Sequence, residues 1–290
     1  MFTGAMVALV TPFHEGEIDF RTLDELVEFQ LANGTDAIVP AGTTGESPTL
    51  SHQEHKLVIE RVVKAASKKA PVIAGAGSNS TAEAVELTAY AKKIGADATL
   101  QVAPYYNKPT QEGFYQHFKT IAQEVDLPIV LYNIPGRCGA GMTPETIARL
   151  AELENIVAIK EASGSMDQAS EIATRCDLTI VSGDDSLTLP IASVGGKGVI
   201  SVVANIVPAD VKAMTDLILE GDFTSALKWH KKLFTLCKSM LTLATNPIPI
   251  KAAVSMLNLA SEELRLPLVT MEESKKATLE QILKDYGLLN

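Results

Sequence analysis

Eight short apolar runs recur along the chain, at residues 6–10, 37–40, 72–75, 98–102, 129–132, 156–159, 178–181 and 198–202, with longer amphipathic stretches between them. Each run is too short for an ordinary helix, is rich in Val, Ile and Ala, and lacks polar/apolar alternation. That pattern fits strands covered on both faces, as in a parallel sheet. The stretches between them carry helical periodicity, at 21–31, 51–66, 81–94 and 111–124. Several open on a capping residue: Ser51 has Glu54 three positions on, Thr81 is a candidate start, and Thr143-Pro144 is another. Gly34 and Gly95 stand where a glycine ends a helix.

Eight strands alternating with helices close into a (β/α)8 TIM barrel or open into a doubly wound sheet. The count of eight and a length of 290 residues favour the barrel. No GxGxxG follows the first run, which weakens the dinucleotide-binding alternative. From about residue 208 the pattern is helical only. The expected division is a catalytic barrel over 1–224 and a C-terminal helical extension over 225–290, packed as part of the same unit.

Composition narrows the function classes. Hydrophobic residues make up 46% and charged residues 21%, which is globular composition. A net charge of −10 argues against a uniformly basic nucleic-acid surface. No apolar run approaches the ~20 residues that span a bilayer, and the N-terminus lacks the basic region of a secretory signal. Cys138, Cys176 and Cys237 are widely spaced and odd in number, so no disulfide framework or metal site is expected. The expected location is cytoplasmic.

In a barrel the working side chains lie at the C-terminal ends of strands. There the sequence places Gly42-Thr43-Thr44-Gly45-Glu46, Pro104-Tyr105-Tyr106-Asn107, Tyr132-Asn133-Ile134-Pro135-Gly136-Arg137, Ile159-Lys160-Glu161 and Ser182-Gly183-Asp184-Asp185. Lys160 is the most informative. In a poorly solvated cavity its ammonium is disfavoured, and a neutral amine attacks a ketone to form a Schiff base. A strand-end lysine serves as readily to snorkel to the rim or to pair with Glu161. Tyr132, one strand earlier, supplies a phenol that shuttles protons, or packs as an ordinary buried tyrosine. The Gly42–Gly45 turn has the glycines, hydroxyls and amides to hold a carboxylate, or is a plain strand-to-loop turn. Arg137 is a clamp for a second carboxylate or a surface arginine.

Taken in order and spacing, these motifs resemble the pyruvate-dependent class I aldolase family. Phe2-Thr3-Gly4, Val10-Thr11-Pro12-Phe13, Pro104-Tyr105-Tyr106-Asn107-Lys108-Pro109, Ile159-Lys160-Glu161-Ala162 and Asn246-Pro247-Ile248-Pro249 extend the resemblance over nearly the whole chain. By that resemblance Lys160 is the Schiff-base lysine, and Tyr132 is the proton relay. Thr43 hydrogen-bonds Tyr132 and links it to Tyr106, which reaches a neighbouring subunit's site. The resemblance thus implies a homo-oligomer, commonly a tetramer built as a dimer of dimers. Thr43 and Thr44 would hold the pyruvate carboxylate, and the backbones of Gly183 and Ile200 would line the pocket. Arg137 stands where the condensing branch, which joins pyruvate to aspartate semialdehyde in lysine and diaminopimelate biosynthesis, carries an arginine for the aldehyde's carboxylate. N-acetylneuraminate lyases and 2-keto-3-deoxy-sugar-acid lyases share the lysine and tyrosine but generally lack that arginine. No metal, nicotinamide or pyridoxal phosphate is implied, because the Schiff base is itself the electron sink.

Ser47, His52, His55, Asn79, Glu83 and Tyr105 match the feedback site that binds lysine in regulated members. Pro48 departs from the small residue expected there and fixes φ. Three other readings stay open at this point: a sugar-acid lyase of the same family, a non-catalytic paralogue that binds a keto acid, and a phosphate-binding barrel using Gly195-Gly196-Lys197-Gly198.

Overall fold

The structure, a computed structural model, describes residues 2–290. Eight parallel strands form one sheet: β1 (Gly4–Ala8), β2 (Ala37–Val39), β3 (Ile73–Gly75), β4 (Ala98–Val102), β5 (Ile129–Asn133), β6 (Ile156–Glu161), β7 (Thr179–Ser182) and β8 (Gly198–Ser201). Their order is β2-β1-β8-β7-β6-β5-β4-β3. The sheet closes where Ile38 bridges Val72 in parallel and the Gly75 amide donates to the Pro40 carbonyl at 3.0 Å. The result is the (β/α)8 barrel that the eight runs imply.

Helices α1 (Phe20–Ala32), α2 (His52–Ala66), α3 (Thr81–Ile94), α4 (Gln111–Glu124), α5 (Pro144–Ala151), α6 (Met166–Arg175), α7 (Thr188–Ala192) and α8 (Pro208–Glu220) alternate with the strands. Helix α4 shows why. It buries Phe114, His117, Phe118 and Ile121, the i, i+3, i+4, i+7 stripe of an amphipathic helix laid on a sheet. Ser51 caps α2 in a full capping box with Glu54. Glycines in the left-handed conformation end α1 and α3, with φ 78° at Gly34 and 86° at Gly95. The N-cap of α3 is Ser80 instead of Thr81, whose hydroxyl meets His117 Nδ1 at 2.9 Å.

The first strand begins and ends two residues earlier than residues 6–10. Past Ala8 the Leu9 amide still donates to Val39, but the Val10 amide turns to the Asn205 side chain at 3.1 Å, so the ladder stops. A small antiparallel hairpin, Phe13–His14 with Glu17–Ile18, had no counterpart in the periodicity. Its strands are two residues long, below any pattern's resolution. Beyond the barrel, α9 (Phe223–Thr242), α10 (Ile248–Met256) and α11 (Glu273–Tyr286) form the extension. Helix α9 runs across the 224/225 division and packs on α8 and α11.

Two layers of core hold the barrel. Outside it, apolar strand faces meet the helices. Inside, alternate residues of successive strands fill the lumen: Met6 and Ala8, Val130 and Tyr132, Ala158, Val181 and Ile200. Because side chains alternate along a strand, the inward set of β6 continues from Ala158 to Lys160. The ladder pairs Lys160 directly with Tyr132.

Candidate active site

Lys160 is 5% exposed, and its Nζ lies 4.2 Å from the centre of the Tyr132 ring. The two side chains are neighbours because adjacent strands place them in register at the mouth of the lumen. Glu161 points the other way, as alternation demands. It accepts from the Asn133 side chain at 3.1 Å and from the Ser163 amide at 2.6 Å. Glu161 is therefore occupied elsewhere, and the pairing with Lys160 that the sequence left open does not form.

Burial pushes the Lys160 amine down to about 8, and the Arg137 charge acts in the same direction, while the Asp185 charge opposes both. At pH 7 about one-tenth of such an amine is neutral, against about one in three thousand for an ordinary lysine. Burial also raises the Tyr132 phenol to about 12, with the Arg137 charge and the Thr43 hydroxyl pulling it back. The phenol thus stays protonated and is a donor, not a standing base. Asp185 is itself raised by burial to about 6. The Ser201 hydroxyl and the Val202 and Val203 amides oppose that rise, the amides donating to its carboxylate at 2.8 and 3.3 Å.

A cavity of about 100 Å3 brings Lys160, Tyr132, Thr43, Thr44, Arg137 and Gly183 together. A Cβ on Gly183 would come within 2.7 Å of Ala162 Cβ and 3.0 Å of Lys160 Cε, so only glycine leaves the lysine stem its place. Thr44 is buried, and its hydroxyl accepts from Asn246 Nδ2 at 3.0 Å. Arg137 rides on a single helical turn, Pro135–Cys138, and donates to the Asn246 carbonyl at 3.0 Å. Ile200 is not on the cavity wall. It lies below in the lumen core with Tyr132 and Val181, and Val202 lines the cavity instead. Tyr106 is also absent from the wall. It stands 89% exposed at φ 71°, a left-handed conformation that a bulky side chain rarely adopts.

A second cavity of about 420 Å3 is lined by Ser47, Pro48, His52, His55, Glu83 and Tyr105, with Thr43 and Arg137 on its wall toward the first. His52 Nδ1 lies 3.2 Å from Glu83, which also accepts from Ser78. His55 Nε2 is 2.6 Å from the Gly75 carbonyl, so that nitrogen carries the proton and Nδ1 is left as an acceptor. Burial holds His55 below the ordinary histidine range. Asn79 stands outside the lining and fixes the Tyr105 carbonyl at 3.1 Å.

Asp185 and Asn246 carry no sequence signal of a role in the site. Both lie within the strand-end and family motifs, yet their partners are 17 and 202 positions away in the chain, at Val202 and Thr44. Among the described residues, no cluster of three or more His, Cys, Asp or Glu side chains could hold a metal ion. Nor is any helix there long and apolar enough to cross a membrane.

The sequence model of the dihydrodipicolinate synthetase family matches residues 1–286. A curated relative from Syntrophobacter fumaroxidans, 4-hydroxy-tetrahydrodipicolinate synthase, is 56% identical over the full length of both chains. A crystal structure of dihydrodipicolinate synthase from Aquifex aeolicus superposes with a TM-score of 0.97 at 52% identity, covering 99% of each chain. A structure of DHDPS from Cyanidioschyzon merolae with lysine bound superposes at 0.96 with 44% identity over 99% of each chain. In its motifs, its barrel and its full-length likeness, the chain belongs to the dihydrodipicolinate synthetase family.

Proposed function

We propose that the chain condenses pyruvate with L-aspartate 4-semialdehyde to 4-hydroxy-tetrahydrodipicolinate, the first committed step of lysine and diaminopimelate biosynthesis. The observation that carries the reading is the Lys160 amine, buried and depressed, in register with Tyr132 and beside the Thr43-Thr44 turn. Full-length relatives named for this activity support it.

The residues divide the chemistry as follows. Thr43 and Thr44 hold the pyruvate carboxylate, which aims its ketone at Lys160. The neutral amine attacks the carbonyl carbon, and loss of water leaves an iminium that acidifies the methyl group. Tyr132 donates a proton to the departing hydroxyl, and its transient phenolate takes one back as the enamine forms. The enamine carbon attacks the aldehyde of the second substrate, whose carboxylate Arg137 orients as a planar fork. The new amino acid's own amine then displaces Lys160 and closes the six-membered ring.

Ser47, His52, His55, Glu83 and Tyr105 form a lysine-binding feedback site, with Asn79 holding the Tyr105 carbonyl beside it. The carboxylate of Glu83 suits an ammonium group, and the lysine-bound relative from Cyanidioschyzon merolae supports the assignment. Tyr106 completes the proton relay of a neighbouring subunit, a role supported by its 89% exposure in a single chain. The assembly is a homotetramer working in the cytoplasm. The deciding experiment compares condensation of pyruvate with aspartate semialdehyde against cleavage of N-acetylneuraminate and 2-keto-3-deoxy-sugar acids. Condensation alone is expected; cleavage without condensation overturns the assignment.

A further inference from the structure

A second lysine lies deeper than Lys160. Lys251 of α10 has a side chain 1% exposed, and its Nζ sits 2.6 Å from Glu46 Oε1, itself 0% exposed. The amine also lies 4.3 Å from the centre of the Phe13 ring, and the Arg265 guanidinium lies 4.5 Å from it. None of the catalytic steps above uses this cluster. A buried ion pair of this kind is seldom more stabilising than apolar side chains of the same volume, so stability alone does not account for it. What it supplies is direction: a charged pair fixes where its two backbones stand.

The backbone it fixes is the keto-acid turn. Glu46 follows Gly45 directly and has φ 55°, the left-handed conformation that turns the chain from Thr43-Thr44 into the short 3-10 turn Ser47–Thr49. Its second oxygen accepts from the Arg265 amide at 3.1 Å. The Arg265 side chain reaches the Thr49 carbonyl at 3.2 Å and forks onto Glu54 at 3.0 and 2.6 Å. Just before α10, Asn246 holds the Thr44 hydroxyl. The extension therefore grips this loop at Thr44, at Glu46 and at Thr49, from positions 246, 251 and 265.

We propose that Lys251 and Glu46 are positioning residues for the keto-acid carboxylate: the C-terminal extension, through this buried pair, sets the Thr43-Thr44 turn and hence the enzyme's affinity for pyruvate. The inference rests on the reading of Thr43 and Thr44 as the carboxylate site. It assigns the extension a task in substrate binding, with no contact to the reacting atoms.

The test uses E46Q/K251M, which removes both charges together and leaves no lone buried ion. The full-length protein is titrated with pyruvate, the imine at Lys160 is trapped with borohydride, and the half-saturating concentration is read by mass spectrometry. A rise of about tenfold over wild type, equivalent to ~1.4 kcal/mol, is expected. The KM for aspartate semialdehyde should stay within about twofold, because the pair acts on one substrate's site. A folded double variant with wild-type pyruvate half-saturation overturns the proposal, as does an equal rise in both KM values. If the double variant does not fold, E46D decides, since it keeps both charges but shortens the reach of the carboxylate to Lys251 Nζ. A raised pyruvate half-saturation in E46D, with the KM for aspartate semialdehyde unchanged, supports the proposal, and an unchanged one overturns it. Failure of wild type to trap pyruvate at Lys160 would instead contradict the underlying functional reading.

Discussion

Lys160 and Lys251 are both buried, and burial pushes both amines below the ordinary lysine range. They differ in what faces them. Lys251 donates to a carboxylate at 2.6 Å, so its lone pair is not available to a substrate. Lys160 has an aromatic face beside it and open space ahead. The charge of Asp185 is the one influence that raises its pKa. Removing that charge while keeping the acceptor for the Val202 amide, as in D185N, lowers the amine further. The sign follows directly: a lower pKa leaves more neutral amine at acidic pH. The acid limb of imine formation, centred near pH 8 in wild type, is expected to move to lower pH in D185N. An unmoved limb in a pH–rate profile contradicts the electrostatic account of the site.

Strands, more than loops, determine the geometry of the site. Tyr132 and Lys160 meet because β5 and β6 pair in register and alternate inward at the same level. Gly183, at the end of β7, leaves room for the lysine stem. G183A puts a methyl within 3.0 Å of Lys160 Cε, and a misplaced nucleophile costs about tenfold or more in rate. The expected result is a kcat at least about tenfold lower, with a lower melting temperature because the same methyl overlaps Ala162 Cβ at 2.7 Å; wild-type kcat would show that the stem has slack. This level of organisation was largely legible in the sequence. All eight apolar runs are strands, and the 81–94 and 111–124 helices fall on their expected residues. Strand-end position put Lys160 and Tyr132 on a short list with ordinary structural roles still open, and the family resemblance added their roles and that of Gly183. Pairings across the fold were not legible. Asn246 on Thr44, Lys251 on Glu46 and Asp185 on the Val202 amide join segments whose proximity only closure of the barrel and return of the C-terminal helices create. Periodicity carries no signal for such contacts. Exposure of Tyr106 and the position of Ile200 below the cavity likewise depend on tertiary placement.

At the scale of the whole molecule, two cavities share Thr43 and Arg137, so a ligand in the larger borders the walls of the smaller. Lysine at millimolar concentration is expected to inhibit condensation, and E83Q to abolish inhibition while leaving uninhibited kcat within about twofold. A flat wild-type dose–response discards the feedback assignment, and with it the tolerance of Pro48 in that wall. Tyr106, left in solvent by a single chain, predicts that activity belongs to the assembly. Sedimentation should show a homo-oligomer, and specific activity should fall on dilution to the monomer; full activity in a verified monomer contradicts the shared relay. All of these rest on one dry amine that, in its neutral form, makes a transient bond to pyruvate. Peptide mass mapping after pyruvate and borohydride treatment tests it most directly across pH. The account predicts a single adduct, on Lys160, whose formation rate climbs through about pH 8, with none in K160R. An adduct on Lys251 or another lysine, or undiminished turnover in K160R, would contradict it.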